Sequence, residues 1–162
     1  MRLHLHVLAA GLAMLSAGSA GAVSATTAGP HVDVSSYLRT DAEIEAWYLL
    51  RSRLRDDFDA ICGDTFCEGD YSNIESLRYQ CSVDQVNGRI GRCLWVFAAS
   101  NEEIDPATGR IVVQPRVWRC PTPLPARTTI EALLGSLTVE SPLYAPLPGG
   151  NRSIYDGLVD CL

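Results

Sequence analysis

Lysine is absent from this chain of 162 residues, and all 13 basic residues are arginine. Without lysine there is no lysine Schiff base, no Ser-Lys nucleophile pair and no lysine to complete a Walker-type phosphate loop. Histidine is scarce as well. The three copies are His4, His6 and His31, so beyond the first residues a Ser-His-Asp or Cys-His pair would have to use His31. That residue lies beside Pro30 in TTAGPHVD and reads as solvent-exposed. No glycine-rich dinucleotide fingerprint appears, and no cofactor is expected. Beyond residue 22 no segment reaches the ~18 consecutive apolar residues of a spanning helix, so no membrane insertion is expected. Nor is there a basic excess. The formal charge is −6, which suits a nucleic-acid phosphate backbone poorly.

The first residues carry a different signal. Arg2 precedes the apolar run VLAAGLAMLSA, and the small residues GSAGA end at Ala22. A charged start, a short apolar segment and an A-x-A site predict a secretory signal peptide over residues 1–22. Removing it takes away Arg2, His4 and His6 and leaves a domain one charge more negative than the whole chain. The expected location is the periplasm or the extracellular space.

Cysteine usage agrees with export. Cys62, Cys67, Cys81, Cys93, Cys120 and Cys161 all lie beyond the signal. An even count in an exported chain reads as a disulfide framework, and six cysteines allow 15 pairings. A zinc site would need paired C-x₂₋₄-C steps with further ligands close by, a pattern missing here. No metal is therefore expected.

Residues 23–39 read as an arm leading into a single domain over 40–162. TDAE opens a helix, with Thr40 as cap and Glu43 reaching back. Ile44, Trp47, Leu50, Leu54, Phe58 and Ile61 recur at steps of three and four, predicting one apolar face over about 41–61. Gly63 is the expected stop. LRYQCSV alternates as a half-buried strand, and Asn87-Gly88 marks a hairpin. A three-residue loop, Val86-Asn87-Gly88, sets Gln85 opposite Arg89, Cys81 opposite Cys93, Tyr79 opposite Trp95 and Leu77 opposite Phe97. This register predicts a Cys81–Cys93 disulfide. Sequence proximity pairs Cys62 with Cys67 and Cys120 with Cys161. The second strand, about 90–98, is apolar on both faces and reads as central. NEEIDPATG reads as a turn region. IVVQPRVWRC is a third strand in which Pro115 indicates an edge or a bulge. Thr128 and Glu131 look like a second capping box before a short helix, and Ser153 with Asp156 a third. The expected fold is α+β: a three-stranded antiparallel meander packed on a long N-terminal helix, with one or two short C-terminal helices and disulfide staples.

The unusual segment is DDFDAICGDTFCEGDYSNIE, from Asp56 to Glu75, with seven carboxylates. Several sit near a helix C-terminus, where negative charge is unfavourable. Asp64 to Glu75 has the length of a calcium loop, yet Phe66 stands where an oxygen ligand belongs. An irregular calcium site using Asp64, Glu68, Asp70 or Glu75 is one alternative. Carboxylate-pair glycan hydrolysis is another, with Glu68 or Glu75 as acid, Asp64 or Asp70 opposite, and Tyr71, Trp95 or Trp118 stacking on sugars. A structural envelope role is a third. The leading expectation is an exported binding or inhibitor protein rather than an enzyme. It presents Asp64, Glu68, Asp70 and Tyr71 to a protein partner with a basic surface, such as a cell-wall-acting enzyme.

Overall fold

The computed structural model describes residues 28–162. The expected signal segment lies outside them. Among the described residues no helix is long and apolar enough to cross a membrane. The architecture is the expected α+β arrangement, with elements in the order β1 (His31–Asp33), α1 (Val34–Tyr37), α2 (Asp41–Thr65), β2 (Glu75–Asp84), β3 (Ile90–Ile104), β4 (Ile111–Pro121), α3 (Ile130–Ser136) and α4 (Ile154–Val159). A short 3-10 turn over Gly69–Tyr71 joins α2 to the sheet. The strands form one antiparallel sheet in the order β1-β2-β3-β4.

Helix α2 starts as its sequence dictates. The Thr40 hydroxyl accepts from the Glu43 N–H, and the Glu43 carboxylate accepts from the Thr40 N–H. Its buried stripe is Trp47, Leu50, Leu54, Phe58 and Cys62. Ile44, assigned to that stripe, is exposed. The stripe lies over one face of the sheet, where Tyr79, Cys81, Val83, Cys93, Trp95, Phe97, Trp118 and Cys120 are buried. Phe58 packs against both Trp95 and Phe97. All three expected disulfides are present: Cys62–Cys67, Cys81–Cys93 and Cys120–Cys161.

The structure corrects several details. The helix passes through Gly63 to Thr65. A Cβ there would meet nothing within 4 Å, so no close packing demands a stop at this glycine. The meander gains a fourth strand. His31–Asp33, placed in the arm by the sequence reading, pairs with Ser82–Asp84, and Val34 and Leu38 behind it are buried. Cys81 does face Cys93 and Tyr79 faces Trp95, but Ser76 rather than Leu77 faces Phe97. Leu77 is displaced by a bulge and is exposed. The bulge places the Ser76 hydroxyl 2.9 Å from the Trp95 indole N–H, a donor that needs a partner when buried.

The hairpin loop holds four residues, not three. The Asp84 N–H donates to the Arg89 carbonyl, so Gln85 belongs to the loop. The Asp84 carboxylate organises it by accepting from the N–H groups of Val86 and Asn87. A second bulge, at Gly91, restores the register before Cys93. Gly88 takes a φ of +70°, a conformation that favours glycine, and a Cβ there would also press on the Tyr37 hydroxyl at 2.6 Å. Strand β3 is central, as expected, but continues through Asn101–Ile104, which the sequence reading assigned to a turn. The turn itself spans Asp105–Arg110, and Pro115 lies on an edge strand. The cap of α3 is Thr129, whose hydroxyl accepts from Ala132, while the Thr128 hydroxyl donates to the Pro125 carbonyl. The Ser153–Asp156 capping box forms as expected.

Candidate functional site

The acidic segment folds into a knob at the C-terminal end of α2. Asp64 sits exposed in the last helical turn. Phe66 caps the helix through its N–H to the Cys62 carbonyl, which also accepts from the Cys67 N–H at 2.6 Å. The Cys62–Cys67 bridge closes this turn. Glu68 then leads into the 3-10 turn, and both Glu68 and Asp70 are exposed.

Apolar anchors hold the knob to the core. Phe66 stacks on Phe58 and tilts against Tyr155. Ile74 is buried immediately after the knob. Asn73 fastens the exit to β3: its amide donates to the Ser100 hydroxyl at 3.2 Å, and its carbonyl accepts from the Ser100 N–H at 3.0 Å. Asp57, about two turns before Asp64 on α2, accepts from the Leu143 N–H and is thereby committed to the Pro-rich loop.

The three carboxylates and Tyr71 have different surroundings. Tyr71 is half-buried and meets Trp118 edge-on at 5.5 Å. The Arg116 guanidinium lies 5.5 Å from the Tyr71 ring centre and 4.7 Å from that of Trp118. Tyr71 is thus wedged between Trp118 and Arg116. Trp118 is buried, and its indole N–H has no hydrogen-bond partner among the described residues. Arg116 is not among the residues expected at this surface. The i,i+2 spacing of Arg116 and Trp118 on a strand puts them on one face, and that alternation was the available signal.

Charge at the knob is unneutralised. The ion pairs of the described residues are Arg78–Asp33 and Arg152–Asp160, and neither reaches Asp64, Glu68 or Asp70. Five carboxylates in other parts of the fold have a lowered pKa. For Asp33 and Asp84 burial acts upward, but hydrogen bonds from Ser35 and from the Val86, Gly29 and Asn87 N–H groups outweigh it. Glu43 is held down first by the Thr40 N–H, Asp105 by the Thr108 hydroxyl and Asp156 by the Ser153 N–H. All five stabilise caps, turns or strand ends. Tyr79 is pushed up to about 12 by burial, with a bond to the Thr122 hydroxyl acting against it.

No three of the described His, Cys, Asp and Glu side chains are grouped so as to hold a metal ion. Glu75 begins β2 opposite Ala98 and so belongs to the sheet, not to the knob. The main surface hollows are lined elsewhere, and Asp64, Glu68, Asp70 and Glu75 border none of them. Of the three aromatics considered for sugar stacking, Trp95 and Trp118 are buried and Tyr71 is wedged against Trp118. No protein-family model matches the chain, and no curated protein or solved structure matches it at a significant level.

Proposed function

We propose that the protein is an exported binding protein of the inhibitor type, acting outside the cytoplasm through its acidic knob. One observation carries this reading. Asp64 is exposed inside the turn closed by Cys62–Cys67, and Glu68 and Asp70 are exposed in the turn that follows it, on a segment that Phe66, Ile74 and Asn73 fix to the core. A stiff turn loses less entropy on binding than a loose one. Its uncompensated charge steers a basic partner surface toward it. Three disulfides fit an oxidising compartment, in keeping with the signal expected over residues 1–22.

The partner has a cationic face, as a cell-wall-acting enzyme with a basic cleft would. The immobilised protein, exposed to exported proteins at low salt, retains such a partner and releases it at high salt. Replacing Asp64→Asn, Glu68→Gln and Asp70→Asn together preserves a cooperative melt. It slows association with the captured partner by roughly ten-fold at low salt and much less at high salt. Unchanged association at low salt by a folded triple variant removes the knob as the site.

A further inference from the structure

The sheet has one face under α2, and among the described residues no element packs over the other. On the uncovered side the register aligns side chains in rows across β3 and β4: Leu94 with Pro121, Val96 with Arg119, Ala98 with Val117, Ser100 with Pro115, Glu102 with Val113, and Ile104 with Ile111. Antiparallel sheets that face water normally carry polar residues there. Here the stripe is mostly apolar, and Ile104, Ile111, Val113 and Val117 are 72%, 66%, 55% and 48% exposed. From Leu94 to Ile104 it runs about 33 Å at ~3.3 Å per residue. Exposed apolar surface of this continuity marks an interaction site.

The charges on the stripe are ordered. Val96 is flanked by Arg78 on β2, which also pairs with Asp33, and by Arg119 on β4, while the exposed Glu75 of β2 lies beside Ala98 near the middle of the face. Glu102 lies six residues further along β3, roughly 20 Å away, and its carboxylate accepts from the Ser100 hydroxyl of the same face. A two-fold axis between the Ala98 and Ser100 rows superposes the pattern on its reverse. The Leu94 row then meets the Ile104–Ile111 row, apolar on apolar. Glu102 of one copy meets Val96 of the other, between Arg78 and Arg119. A single surface that is its own complement under a two-fold is what an isologous dimer needs.

We propose that the outer face of the β3–β4 hairpin is a self-association surface, on which two copies pack face to face with strands antiparallel. The contact uses the face and not the edge. The Thr122 N–H donates to the Cys93 carbonyl, so even-numbered residues of β4 turn their N–H groups toward β3. The odd positions face outward, and two of them, Pro115 and Pro121, have no N–H to offer an added strand. This surface is separate from the acidic knob, and its test needs no partner.

Sedimentation equilibrium of the purified protein, from about 1 to about 200 μM, reads the association directly. The expected result is a reversible dimer. Glu102→Arg places a third positive charge between Arg78 and Arg119 and weakens the dimer roughly 100-fold or more. Adding Arg119→Glu to that variant restores association to within about ten-fold of the parent. Within one copy the two positions are too far apart for this rescue. Val113→Glu, at an exposed site that leaves folding intact, also yields monomer. The proposal is overturned by a parent protein that stays monomeric over the whole range, including one that instead sediments with anionic phospholipid vesicles. A dimer indifferent to Glu102→Arg, or one that the second charge change fails to restore, overturns it equally.

Discussion

The two faces of the sheet use similar residues to opposite ends. On the inner face Trp95, Phe97 and Trp118 are buried under α2 and the acidic knob. On the outer face Leu94, Val96, Val113 and Val117 belong to the same two strands and have no covering element among the described residues. Apolar character alone therefore does not separate core from surface in this protein. What separates them is the stripe on α2, whose buried residues Leu54 and Phe58 exist only on one side. Folding free energy resides in the inner face, whereas the outer face is free to answer to another molecule.

Substitutions can break this contrast. Phe97→Ala opens a cavity beside Phe58 and Trp95 and is expected to cost about 3–5 kcal/mol, read from urea denaturation of the two proteins. Removing the Cys81–Cys93 bridge by a paired change to alanine should cost roughly 2–4 kcal/mol, because it frees a twelve-residue separation in the unfolded chain. Peptide mapping under non-reducing conditions checks the pairing itself. A peptide joining Cys81 to any other cysteine would contradict the register of β2 on β3.

The acid limb of stability comes next in size. Asp84 accepts from Gly29, Val86 and Asn87, and its pKa is lowered in the folded protein. Its folded value lies below its unfolded value. The stabilisation is therefore fully present above the unfolded pKa of about 3.9 and is lost as pH falls through the folded one. Asp84→Asn should lower the melting temperature at pH 7 and flatten the fall in stability below about pH 4. Melting curves at pH 3, 4 and 7 decide it. Smallest of all is the outer face. Val113→Ser, at an exposed position, should change monomer stability by less than about 0.5 kcal/mol, in contrast to Phe97→Ala on the same hairpin.

Much of this fold was legible in local patterns. The capping box at Thr40 and Glu43, the 3.6-residue stripe from Trp47 to Phe58 and the alternation around Cys81 each carry their own physics. All three expected disulfides appear, and Pro115 marks an edge strand as its missing N–H requires. What escaped reading was tertiary. The Leu77 bulge brings Ser76 to the Trp95 indole, a contact between two strands. The four-residue loop depends on a carboxylate, Asp84, reaching back to backbone donors. Strand β1 is three residues long and has no periodicity to detect. The acidic candidates were visible as composition, but the packing of Tyr71 under Arg116 and Trp118 required the chain to fold. The outer stripe was visible only in part. Leu94 and Val96 pointed to a central strand, while its continuation through Glu102 and Ile104 fell in a segment expected to be a turn.

The proposed function rests on recognition by the acidic knob. Hydrogen exchange of the protein alone and with its captured basic partner tests it most directly, since amide protection reports which backbone a partner covers. The predicted result is slowed exchange over the segment from Asp64 to Tyr71, with the Ser141–Arg152 loop unchanged. Protection confined to that Pro- and Gly-rich loop, with the knob exchanging as in the free protein, would contradict it.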